Sequence, residues 1–278
     1  LGLVKRPDAD LGIAKDLYSA SVLLKGENIT PIDGGTFRFN TLDDLSGDFY
    51  SRQVVNQKSV PYTLGLYSSD YYYRAEMYQD NKELYDKVIE LSKTIPNNEF
   101  SEMEVELRYE IAVYNESGSY KQVVKGINDY FDSSFGEPIK VEIPGGGSHS
   151  VTETGIIGSD GVIYNKLEIK DMNLELASGE VQKIYVTFRV QKDTINGVHD
   201  TIILGQKSNV AEISSYSTLN LDGTNAGKVD KDSAPDNLNI RSFNEYSWYE
   251  DDTDAAPVLY LELKDENRIK ADMLLVQG

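Results

Sequence analysis

The stretch Met103 to Tyr114 (MEVELRYEIAVY) alternates, with Val105, Leu107, Tyr109, Ile111 and Val113 on one side and charged residues on most of the other. Successive side chains of a strand point to opposite faces, so a period of two predicts a half-buried β-strand. Leu11 to Leu24 (LGIAKDLYSASVLL), following the turn-forming Pro7-Asp8, reads as the opening strand. Similar alternation recurs at Val162 to Ile169, Lys183 to Val190, Asn209 to Ile213 and Val258 to Leu263, with Gly or Asn/Asp turns between. Many strands separated by turns predict an all-β sandwich. One segment departs from this period. Asn81 to Ile95 places Leu84, Val88, Leu91 and Ile95 at helical spacing and stops before Pro96, which predicts one amphipathic helix.

The helix lies in a Tyr-rich stretch containing Tyr62, Tyr67, Tyr71, Tyr72, Tyr73 and Tyr78, which reads as an insertion between two core strands. The expected organisation is a sandwich domain over residues 1–221 with that insertion at about 40–102, an acidic loop region over 222–257, and one or more C-terminal strands over 258–278. The last of these begins a following domain, returns to this sandwich, or joins a neighbour's as an inter-subunit strand.

Composition supports strands over helix bundles, because the 278 residues include 19 Tyr and 22 Gly but only four Met. A formal net charge of -19 repels phosphate backbones and anionic headgroups, which argues against nucleic acid and membrane surfaces and favours divalent cations as partners. Cysteine is absent, so stability rests on the core, on metal or on another kind of crosslink. With no signal peptide and no apolar run of membrane-spanning length, the chain is expected to be either a cytosolic protein or an internal piece of an exported one, and its opening on Leu1 without Met suggests a fragment.

Most enzyme signatures are missing. His149 and His199, the two histidines, sit in Gly-Gly-Gly-Ser-His and Asn-Gly-Val-His sequences that read as solvated loops without zinc-ligand spacing. No Gly-x-Ser-x-Gly elbow is present. Gly223 to Val229 (GTNAGKV) is a residue short of a phosphate loop and has Val where a magnesium-binding hydroxyl belongs.

Acidic residues gather from Asp222 onward. Calcium takes six to eight oxygen ligands in flexible geometry, so Asp222, Asp230, Asp232, Asp251, Asp252 and Asp254 are candidate ligands for Ca2+, though not all for one ion. The Asp230 stretch is not an EF-hand, having Pro235 near the place of the sharp Gly and Arg241 where the closing Glu belongs.

Three stretches, in order, carry a resemblance: IAKD at Ile13 to Asp16; LRYEIAVYNES followed by VVKGINDYFD at Val123 to Asp132; and LELASGEVQKIYVTFRV followed by SNVAEI at Ser208 to Ile213. Together they resemble the conserved-repeat, Ig-like, isopeptide-forming domains of Gram-positive adhesins and fimbrial proteins. The family's Pro after the acidic motif is absent, the chain reading Asp129-Tyr130-Phe131-Asp132. The resemblance implies an Ig-like β-sandwich in which Lys15 bonds covalently to Asn209, with Asp129 as the assisting acid. Chemistry gives the same roles a rationale, because burial favours the neutral amine that attacks and the protonated acid that assists. Asn115 and Asn128 remain alternative acceptors.

The expected function is structural and non-enzymatic, apart from one autocatalytic crosslinking event: a stalk or fibre repeat of an extracellular, cell-wall-anchored adhesin or fimbria-like protein. Its expected partners are neighbouring repeats or subunits. The alternative is an adhesive module whose Tyr-rich insertion binds a host protein or glycan, since tyrosine offers stacking area and a hydroxyl at low entropic cost. A glycoside hydrolase is a third class, for which no pair of acids stands out by spacing.

Overall fold

The computed structural model describes residues 9–31, 34–38, 99, 102–158, 161–191, 208–230, 233–242 and 252–257. The opening strand, β1 (Leu11–Leu24), is followed by short β2 (Glu27–Asn28) and β3 (Phe37–Arg38), and the alternating stretch becomes β4 (Met103–Asn115). Then come β5 (Lys121–Asp132), a single 3-10 turn at Ser133–Phe135, β6 (Lys140–Glu142), β7 (Ser148–Ile157), β8 (Ile163–Lys170) and β9 (Leu174–Leu176). The series ends with β10 (Val181–Gln191), β11 (Ser208–Leu219) and β12 (Thr253–Pro257).

These strands form two six-stranded sheets. The first runs β2-β1-β4-β10-β6 with β3 also on β1; the second runs β12-β11-β5-β8-β7 with β9 also on β5. Every pairing is antiparallel. The fold is an all-β sandwich, as the alternation predicts.

The core lies between the sheets because period-two strands present one apolar face each. Val105, Leu107, Tyr109, Ile111 and Val113 are all buried, together with Leu11, Ile13 and Leu17 of β1 and Ile184, Val186, Phe188 and Val190 of β10. The second sheet contributes Val124, Ile127, Phe131, Leu167, Ile169 and Ile213. Aromatic rings lock the centre: Phe188 packs 4.8 Å from Phe131 and edge-on, 6.1 Å from Tyr109, centroid to centroid. The outward face of the first sheet is also closed in places. Tyr114 lies across Gly12, its partner in register, and a Cβ at Gly12 would stand 2.1 Å from the ring, so the bare backbone is what admits the tyrosine.

The region read as an acidic loop is in large part built into the sandwich. Thr253–Pro257 forms an edge strand, pairing Asp254 with Ala211 and Ala256 with Asn209. Leu238 and Ile240 pack on Tyr130, Tyr164 and Val210, covering part of the second sheet's outer face. Apolar residues spaced among the acids drive this docking, a signal that the charge run hides. His149 is likewise not in a loop but exposed on β7, where it pairs with Ile169. The predicted helix at 81–95, the tyrosines of the insertion, the strand at 258–263 and His199 lie outside the described residues.

Candidate functional site

Three strands bring three polar side chains into the apolar interior. In β1, Lys15 occupies the inward parity shared by Ile13 and Leu17; in β5, Asp129 lies between inward-facing Ile127 and Phe131; in β11, Asn209 precedes inward Ala211 and Ile213. Antiparallel register sets Ala211 against Asp129, so the asparagine and aspartate come from neighbouring strands of one sheet and the lysine from the opposite sheet. All three are at most 1% exposed.

The Lys15 amine reaches across the sandwich. Its Nζ donates to Asp129 Oδ1 and, at 2.6 Å, to Asn209 Oδ1, and it lies 5.4 Å from the centroid of the Tyr109 ring. Among the described residues, Asp129 Oδ2 and Asn209 Nδ2 are buried and have no hydrogen-bond partner. Leaving such atoms unpaired in a dry core costs on the order of 1–3 kcal/mol each.

Burial governs the protonation of the pair. Loss of water pushes the Lys15 ammonium well down from its ordinary value, against the pull of the Asp129 and Asp254 charges. The same desolvation pushes the Asp129 carboxyl up, against the Lys15 charge. Both shifts favour transferring the proton from amine to carboxylate, which leaves a neutral amine beside a neutral acid.

The alternative acceptors are placed elsewhere. Asn115 Nδ2 donates to the carbonyls of Tyr120 and Leu176, each at 3.0 Å, and its Oδ1 accepts from Ser117 N at 2.9 Å, which makes it a loop staple. Asn128 points away from the core, donating to Asp236 Oδ1 at 2.8 Å and Glu212 Oε1 at 3.4 Å. Of the three asparagines, Asn209 is the one within reach of Lys15.

Three of the described candidates for calcium ligands accept hydrogen bonds from within the chain. Asp222 Oδ1 accepts from Thr224 N and Oγ1 at 2.9 and 2.6 Å, Asp230 Oδ2 from Leu11 N at 2.8 Å, and Asp254 Oδ2 from Lys15 N at 2.7 Å. Asp252 is buried, while Asp232 and Asp251 lie outside the described residues. Among the described residues, no group of three or more His, Cys, Asp or Glu is placed to hold a metal ion. Two of these acids instead serve β1. Nothing in linear spacing distinguishes an acid that accepts from a distant backbone from one that binds an ion.

Compared with known proteins, the chain matches no family model and no curated protein.

Proposed function

We propose that this chain is a structural repeat of an extracellular bacterial surface protein, a stalk or fibre unit tied by an autocatalytic isopeptide bond between Lys15 and Asn209. One observation carries the reading: a lysine, an aspartate and an asparagine buried together in an apolar core, with the amine 2.6 Å from the amide oxygen.

The chemistry follows from that placement. With its proton passed to Asp129, the Lys15 lone pair attacks Cγ of Asn209. Protonated Asp129 donates to the oxyanion as it forms. The nitrogen of Lys15 then gives up a proton, Nδ2 gains one through Asp129, and the Cγ–Nδ2 bond breaks. Ammonia leaves, the Nζ–Cγ amide remains, and Asp129 is left holding the proton first taken from Lys15. Holding amine and carbonyl at contact distance supplies the effective concentration that an intermolecular reaction lacks. Among the described residues, Asn209 Nδ2 has no hydrogen-bond partner to break when it departs. Because the residues are consumed, the event occurs once per molecule and supports no turnover.

The product ties β1 of one sheet to β11 of the other, the bridge that a chain without cysteine cannot make with a disulfide. A permanent tie between an early and a late strand suits a module that carries load between neighbouring repeats. Intact-mass measurement tests the reading. The folded protein is expected to be lighter than its sequence by one ammonia, and a digest to contain a branched peptide joining the Lys15 and Asn209 segments. The full sequence mass in folded protein overturns it.

A further inference from the structure

Strand β1 is flanked unequally. Its C-terminal half pairs with β4 on one side and with β2 and β3 on the other, through Leu23, Leu24, Ser19 and Ala20. Along Leu11 to Leu17, no described strand pairs with the side away from β4. Backbone donors on such an edge need acceptors when they are buried. Two carboxylates from the acidic segment supply them, Asp230 at Leu11 N and Asp254 at Lys15 N, 2.8 and 2.7 Å away.

Asp254 is the more telling of the two, because the backbone it holds is that of the reactive lysine. It reaches that position from β12, whose pairing sets Asp254 against Ala211 and Ala256 against Asn209. One short strand thus touches both reacting residues: it pairs with the acceptor's backbone and hydrogen-bonds the donor's. Resting on the crosslink proposed above, we propose that Asp254 is a positioning residue for it, seating the Lys15 backbone on the open edge of β1 and placing a negative charge beside the amine.

The charge acts on reactivity as well as on position. Among the described residues, the titratable groups facing Lys15 are Asp129 from β5, the Tyr109 phenol from β4 and Asp254 from β12. Asp129 relays the proton. Asp254 lies outside that relay, and its charge favours the ammonium form. Its charge therefore favours the less reactive ammonium while its hydrogen bond holds the Lys15 backbone in place.

The test separates these effects. Full-length chain made by cell-free translation is jumped to buffers over a range of pH, quenched in denaturant at intervals, and scored for ammonia loss by mass. Asp254→Ala removes both acceptor and charge and is expected to slow crosslinking at least roughly tenfold, the scale on which small misplacements of reacting groups act. Asp254→Asn keeps an acceptor oxygen but loses the charge. Its crosslinking is expected to remain efficient, with the acid limb of the pH–rate profile moved to lower pH, because the amine then sheds its proton more readily. A merely structural role would leave that limb in place. An Asn variant whose limb coincides with wild type overturns the proposal, as does a folded Ala variant that crosslinks at the wild-type rate. If the Ala variant does not fold, the Asn profile still decides. Wild-type protein that never loses ammonia refutes the crosslink itself, which distinguishes that failure from this one.

Discussion

Lys15 and Asn209 are separated by 194 positions in sequence, yet Nζ of the first lies 2.6 Å from Oδ1 of the second across the interior of the sandwich. A bond there closes a loop spanning those 194 positions. The chain-entropy argument developed for disulfides gives such a loop about 5 kcal/mol of stabilisation, from the restricted unfolded state. Asn209→Ala and Lys15→Ala are each expected to retain the mass of their sequence and to melt well below wild type in a calorimeter. Asp129→Ala leaves both reacting groups in place and is expected to fold largely uncrosslinked.

Gly12→Ala tests the close packing outside the core. The added methyl would meet the Tyr114 ring at 2.1 to 2.4 Å, and Tyr114 is itself buried, so one of the two must move. Overpacking of this kind costs about 1–3 kcal/mol. Chemical denaturation should register that loss while the mass still shows the crosslink.

Phe188→Ala removes the ring on which Phe131, Phe135 and Tyr109 converge. A destabilisation of about 3–5 kcal/mol is expected from the lost burial and the cavity left behind. Its measurement is cleanest in Lys15→Ala protein, where no covalent tie masks the unfolding.

Glu212 carries a pH dependence of known sign. Burial raises its carboxyl above the ordinary value, with neighbouring Asp236 adding to the rise and hydrogen bonds from Leu238 N, Asn128 and Tyr130 opposing it. Between the unfolded value near 4.5 and the higher native one, the native state holds a proton that the unfolded state has lost. Stability therefore falls as pH rises through that window. Glu212→Gln removes this contribution and keeps an acceptor for Leu238 N. Urea melts at about pH 4 and about pH 8 are expected to show the variant gaining on wild type at the higher pH.

The sandwich was readable from the sequence where one face of each strand is apolar. The alternation in Met103 to Tyr114 gave β4 to within a residue, and Leu11 to Leu24 gave β1. Lys15, Asp129 and Asn209 were named through the resemblance carried by the three motifs and not through periodicity; their shared inward parity is seen in the structure. Register across sheets cannot be read from one strand, which is why Asn115 and Asn128 could be set aside only by geometry. β12 was hidden by composition: Thr253-Asp254-Ala255-Ala256-Pro257 carries little β propensity, and its pairing with β11 decides its conformation. For the same reason the hydrogen bond that Asp254 accepts from Lys15 N could not be foreseen from the acidic run.

The placement of Asn209 at the start of β11 has a mechanical meaning once the bond exists. Tension entering before Lys15 and leaving after Pro257 passes through the amide and bypasses everything between the two bonded residues. Only the chain beyond Asn209 remains in series with the load. That part holds the rest of β11, the apolar strap of Leu238 and Ile240, and β12, all joined by non-covalent contacts. At ~3.3 Å per extended residue, it could release roughly 160 Å of length before the covalent path is drawn taut. Under the proposed function, the chain would then combine an inextensible link with a recoverable extension at one end, in which Asp230 and Asp254 are among the first contacts to part.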